Sequence, residues 1–123
     1  MAPRIAVAPL TAKGYYEARP GDVALRDDLF LLDVRYTEDL DSDLGHIHQV
    51  HHLPLAELDA LSLPLDTPVV TVCGNGFESR KAAIALVEAG FSEVYHLVGG
   101  MIRWNAEERP VARVATHRPA PRR

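Results

Sequence analysis

The chain has 123 residues, 47% of them hydrophobic and 24% charged, and a formal charge of −4. That length and composition suit one globular domain with its own core and argue against disorder of the body. The acidic balance argues against a general nucleic-acid or membrane-surface binder, and the single cysteine excludes a disulfide-stapled scaffold.

In chain order, residues 5–7 read as a short first strand. Residues 11–18 read as a short helix, weakened by Gly14 and stopped before Pro20, with Tyr15 and Tyr16 as its core or edge residues. The run Leu29-Phe30-Leu31-Leu32-Asp33-Val34 stays apolar until its charge, as in a strand of a parallel sheet covered on both faces. Residues 51–53 read as another short strand, ended by Pro54, and residues 55–61 as a short helix. Pro68-Val69-Val70-Thr71-Val72 is the clearest strand, β-branched and bounded by a proline and a glycine-rich loop.

The clearest helix is predicted over residues 79–89, where Ala82, Ala83, Leu86 and Val87 share one stripe. Ser79 is placed as its cap, Gly90 as the left-handed residue that ends it, and Phe91 as a fold-back over the last turn. Residues 94–97 return as a strand, Gly99 and Gly100 make a turn, and residues 101–108 form a last helix with Trp104 on its buried side. Strands alternating with helices give the fold class α/β with a mainly parallel sheet. Ligands of such sheets bind beyond the carboxyl ends of the strands, and Cys73 stands immediately past the clearest one. Residues 1–110 read as the domain. Residues 111–123, carrying Arg113, Arg118, Arg122 and Arg123 with no apolar period, read as a flexible basic tail. The first ten residues lack the pattern of a signal peptide, and no run approaches the roughly 18 apolar residues of a membrane span. The expected location is therefore the cytoplasm.

The loop Cys73-Gly74-Asn75-Gly76-Phe77-Glu78-Ser79 joins the clearest strand to the clearest helix. Its glycines allow a tight curl through positive φ, which makes successive amides converge on one point. The helix start aims its positive end at the same place. Donors and dipole together would stabilise a thiolate and a second, anionic sulfur bonded to it. The residues alone leave two readings of Cys73 open, a nucleophile or an inert buried thiol.

Four stretches bear on that choice: Leu32-Asp33-Val34-Arg35; Gly45-His46-Ile47 followed by Pro54; Cys73-x-x-Gly76-x-x-Ser79 running into Ala82-Ala83; and Gly90-Phe91 to Val94, then Leu97-x-Gly99-Gly100 and Trp104. By their order and spacing, residues 31–110 resemble the rhodanese family. The resemblance implies a single rhodanese-like domain, a twisted sheet with helices on both faces, and the Cys73 loop as active site. It implies a sulfurtransferase of the thiosulfate or persulfide type, in which Cys73 takes a sulfane sulfur and hands it to a thiol or cyanide. Gly74, Asn75, Gly76, Phe77, Glu78, Ser79 and Arg80, with Arg35, are the implied substrate-binding residues, and no cofactor or metal is implied. The implied partners are a small-molecule or protein-bound sulfur donor and a thiol acceptor such as glutathione or a reduced thioredoxin-like protein. Neither nucleic acid nor membrane is expected, and the chain would be a monomer or dimer.

The sequence departs from the family in two places. Glu78 occupies a position where arginine is common, which inverts a charge beside the expected anion. Dianionic thiosulfate is therefore expected to be a poorer donor than a persulfide, unless Arg80 and Lys81 compensate or Glu78 pairs with Arg80. Gly45-His46-Ile47-His48-Gln49-Val50-His51-His52 holds four histidines in seven residues, with no cysteine or carboxylate placed to complete a metal site. These are read as surface and turn residues, with His46 structural. Asp33 and Arg35 either reach the loop or tie the strand end to neighbouring backbone, the second being preferred. Phe77 either lines a pocket mouth or closes the loop over the core. Two further function classes stand beside the enzyme: a rhodanese-like interaction or sensing module with negligible turnover, favoured by Glu78, and a phosphatase or arsenate reductase. The last is disfavoured because six residues, not five, separate Cys73 from Arg80 and no second thiol exists.

Overall fold

Apolar runs bounded by loop residues become the strands of one sheet. The computed structural model describes residues 2–24, 26–48, 50–114 and 116–123. Its strands are β1 (Tyr16–Ala18), β2 (Phe30–Asp33), β3 (His51–His52), β4 (Val69–Val72), β5 (Val94–Leu97) and β6 (Arg118–Pro119). They stand in the order β1-β5-β4-β2-β3-β6, and every neighbouring pair is parallel. Parallel neighbours require crossovers. These are made by α1 (Pro20–Val23), α2 (Phe77–Glu88), α3 (Gly100–Ala106) and 3₁₀ turns at Thr37–Asp39 and Leu55–Ala60.

Side chains alternate across the sheet, so each strand feeds two cores. Leu32, Val34 and Val69 meet Ala82, Ala83 and Leu86 of α2 on one face. Val70, Val72, Tyr95 and Leu97 meet Val23 of α1 and Met101 and Trp104 of α3 on the other. The α2 helix ends as its sequence predicts. Gly90 takes φ +105°, its N–H donates to Val87 O, and the Phe91 N–H donates to Leu86 O, capping the last carbonyls. The Trp104 indole donates to Pro110 O at 2.8 Å.

Three expectations give way. Residues 5–7 form a turn, not a strand: Ala8 N–H closes on Ile5 O, while Ile5 N–H donates to the Tyr95 hydroxyl. Residues 11–18 are not helical. Gly14 at φ +92° reverses the chain, and Thr11 bonds back to Tyr15 O through its amide and its hydroxyl. Tyr16–Ala18 then pairs with Tyr95–Leu97, because the open edge of β5 offers a full ladder that outweighs the weak β propensity of Glu17 and Ala18. Within residues 111–123, the segment 118–123 is not a loose tail. Arg118 and Ala120 donate to Val50 O and His52 O, β6 lies against β3, and Ala120 is buried. Without this strand β3 would present an unpaired edge. Among the described residues no helix is long and apolar enough to cross a membrane.

Candidate active site

The β-branched run of β4 fixes where the reactive loop begins. Val34 N–H donates to Val72 O, so Cys73 leaves the sheet beside Val34 at the carboxyl ends of two central strands. The chain then turns through Gly76, at φ +96°, into α2. The helix starts at Phe77, earlier than the sequence indicated, so Ser79 does not cap it. Asn75 bends the entry instead, its side-chain oxygen accepting the Phe77 N–H at 2.9 Å. Ser79 lies inside the first turn, fully buried, with its hydroxyl facing the cysteine.

The thiol is held by polar groups. Cys73 Sγ accepts the N–H of Gly76 at 3.1 Å and that of Ser79 at 3.2 Å, and lies 3.3 Å from Ser79 Oγ. Ser79 Oγ is also 3.3 Å from Gly76 O. A protonated Sγ donates to Ser79 Oγ, which donates onward to Gly76 O; an ionised Sγ accepts from a rotated hydroxyl. The loop carbonyls face away. Cys73 O and Gly74 O accept the Met101 and Ile102 N–H groups at the first turn of α3, at 2.8 and 2.9 Å. Carbonyls tied outward leave the amides pointing inward, an arrangement suited to an anion. Gly100 permits this approach. At φ +56°, a Cβ on it would stand 2.6 Å from Gly74 O. Cys73 is only 1% exposed in this resting arrangement.

Two cavities flank the loop. On the β2 and β3 side, one of about 340 Å³ is walled by Val34, Tyr36, Leu55 and Ala56, with Glu78 as its only charge. On the β5 side, one of about 370 Å³ is bordered by Glu17, Phe77, Arg80 and His96. A third cavity of about 360 Å³ lies away from the thiol, between Leu58, Leu65 and the end of α2.

The structure therefore sorts the predicted site residues. Cys73, Gly76 and Ser79 come together as expected. Gly74 lends its carbonyl to α3, and Asn75 lends its side chain to Phe77, whose amide is thereby diverted from the sulfur. Phe77 is 51% exposed with Lys81 Nζ 4.5 Å above its ring, so it rims the loop and does not close the core. Glu78 and Arg80 border opposite cavities, and no ion pair joins them among the described residues. Arg35 is a correction. Its guanidinium grips the fully buried Asp33 carboxylate through Nε at 3.0 Å and Nη2 at 2.8 Å, and also donates to Gly45 O and Asp39 O. A buried fork with a carboxylate partner on its own strand end is structural, not substrate-facing. His46 is buried, with ring nitrogens 2.7 Å from Leu40 O and 2.9 Å from Thr116 Oγ1; His48 is exposed, and Gln49 lies outside the described residues.

Sequence reasoning missed Thr71 and His96. Thr71 Oγ1 donates to Ser79 O at 2.7 Å, and His96 Nε2–H donates to Gly76 O at 2.8 Å. Each is a lone polar residue inside an apolar buried strand, which is the signal that marks them. Burial lowers the His96 pKa, outweighing the Gly76 carbonyl and Glu17, which favour its charged form.

A parallel sheet covered on both faces, with one cysteine in an amide-lined loop past a central strand, defines a rhodanese-type fold. The Rhodanese-like domain family matches residues 15–107, and the chain belongs to that family. It is similar to the thiosulfate sulfurtransferase GlpE of Coxiella burnetii, with 36% identity over 87 residues, spanning 69% of this chain and 79% of that protein. It is also similar to the probable adenylyltransferase/sulfurtransferase MoeZ of Mycobacterium tuberculosis, with 33% identity over 67% of this chain but 21% of the larger protein. Among solved structures, a rhodanese-related protein of Thermoplasma volcanium superposes with a TM-score of 0.72 and 26% identity, covering 80% of this chain and 98% of that one.

Proposed function

We propose that the chain is a sulfurtransferase that carries a sulfane sulfur on Cys73. The observation that carries this reading is the pair of amides, from Gly76 and Ser79, directed at Sγ. The Cys73 thiolate attacks the outer sulfur of a persulfide or of thiosulfate. A bond forms from Sγ to that sulfur as the donor's S–S bond breaks, and the electron pair leaves on a thiolate or on sulfite. A thiol acceptor in its thiolate form, or cyanide, then attacks the outer sulfur, and the Cys73 thiolate is regenerated. The two displacements consume no oxidant or reductant. The amides of Gly74, Asn75 and Glu78 have no protein acceptor among the described residues and remain to meet the outer sulfur.

Glu78 sets the donor class. A carboxylate lining the β2-side cavity repels thiosulfate, whose reacting group carries two charges, more than a persulfide, whose reacting sulfurs carry one, small or protein-bound. Glutathione or a reduced thioredoxin-like protein is the corresponding acceptor class. Intact mass spectrometry after exposure to thiosulfate, glutathione persulfide and a protein persulfide tests the reading. The expected product is an adduct of about 32 Da on Cys73 that thiol or cyanide removes. No adduct with any donor would leave the second reading, a rhodanese-like interaction module. The burial of Cys73 and the Glu78 carboxylate in the cavity wall favour that alternative.

A further inference from the structure

We propose that Thr71 and His96 are the positioning residues of the sulfur cradle. Thr71 and His96 are register partners on β4 and β5, side by side on the face that α2 covers. Two amides hold Sγ, those of Gly76 and Ser79. The carbonyls of those same two residues are the ones gripped from the sheet, Gly76 O by His96 and Ser79 O by Thr71. No other side chain on the sheet floor bonds to the loop among the described residues. The pair thus ties the cradle to two interior strands of the sheet at two points.

The His96 ring also acts as a wall. A Cβ at Gly76 would stand 3.3 Å from His96 Nε2 and 3.3 Å from Gly99 N, so the ring and the following turn confine Gly76 where its φ is left-handed. The chemistry of the ring fits a donor. Nε2–H serves Gly76 O, while Nδ1 is a bare acceptor without a hydrogen-bond partner among the described residues, 3.6 Å from the Glu17 carboxylate. His96 is 5% exposed, and a buried polar ring in an apolar strand is costly unless its bond is needed. Thr71 shares this position, being fully buried between Val70 and Val72.

The catalytic consequence rests on the sulfurtransferase reading; the geometric claim does not. Four variants test both: T71V and H96F remove each donor, and T71S and H96Q restore one. Sulfur loading of Cys73 from glutathione persulfide is followed by intact mass in single turnover. Alkylation of Cys73 by iodoacetamide at pH 7 is timed separately, and thermal melts establish which variants fold. Direct loss of an anion-hole donor slows catalysis roughly 100-fold or more, so a displaced donor is expected to slow loading about tenfold. The slowing falls on the saturated rate, with the half-saturating donor concentration little changed. Alkylation slows in parallel, and T71S and H96Q return both rates to within about threefold of the parent.

Folded T71V and H96F that load and alkylate within about twofold of the parent overturn the proposal, as does failure of T71S and H96Q to recover either rate. Should H96F not fold, T71V, which keeps the side-chain volume, decides. If the parent forms no adduct with any donor, the sulfurtransferase reading falls, and the alkylation series alone judges whether the two residues position the amides.

Discussion

Replacing Arg35 with methionine separates a structural residue from a substrate-binding one. Arg35 and Asp33 are both almost fully buried, and the fork between them is bidentate. Methionine fills much of the same volume but leaves the Asp33 carboxylate with only the Arg35 amide, at 3.1 Å, and strips a donor from Gly45 O. Breaking one side of a buried pair costs about 3–5 kcal/mol. At about 2.1 cal/mol/K per residue, a chain of this length unfolds with an entropy near 0.26 kcal/mol/K, so about 4 kcal/mol lowers Tm by about 15 °C. The double variant D33L/R35M removes both charges and is expected to recover about 1–4 kcal/mol of that loss. Thermal melts and urea titration give these values, and steady-state sulfur transfer gives the donor KM. A variant that keeps its Tm within about 2 °C while its donor KM rises tenfold would refute the structural assignment and return Arg35 to the substrate.

Other outcomes follow from the site. S79A loses the hydroxyl beside Sγ but keeps the amide, so single-turnover loading should slow roughly tenfold with donor KM unchanged; a change confined to KM contradicts the hydroxyl's place at the sulfur. E78R should raise thiosulfate kcat/KM about tenfold relative to glutathione persulfide, less at high salt, and equal effects on both donors would refute the charge argument. G100A forces a methyl against the carbonyls that α3 caps at an unfavourable φ, and a loss of at least about 2 kcal/mol should appear in urea melts. Acid should destabilise the fold. Burial lowers the pKa of His96, which faces Glu17 and Arg80, and that of His51, with Arg118 adding to the effect. The unfolded chain then binds more protons from about pH 6.5 down to the depressed values, so this contribution is complete above that range and is lost as pH falls. Urea midpoints at about pH 7.5 and 5.5 measure it, and a midpoint that rises on acidification opposes it.

Strands β2, β4 and β5 were legible because short, mainly apolar runs bounded by loop residues can be buried on both faces in few other ways. The ending of α2 was legible because Gly90 and Phe91 encode a local cap. The Cys73 loop was legible because glycine spacing constrains backbone within one segment. Where partners lie far apart in sequence, local reading failed. Residues 11–18 carry helix-compatible residues, yet the free edge of β5 claimed Tyr16–Ala18; residues 111–123 look solvated, yet the edge of β3 claimed Arg118–Pro119.

The site divides in the same way. Residue type and short-range spacing sufficed to place Cys73 beyond a strand, to mark the glycine turn that follows it and to carry the family resemblance. It took the folded chain to bring Arg35 onto Asp33, to set Glu78 and Arg80 at different cavities, and to close Thr71 and His96 on the loop. A buried polar side chain takes whichever partner the packed sheet brings within about 3 Å, and that partner is set by strand order, which no local pattern encodes.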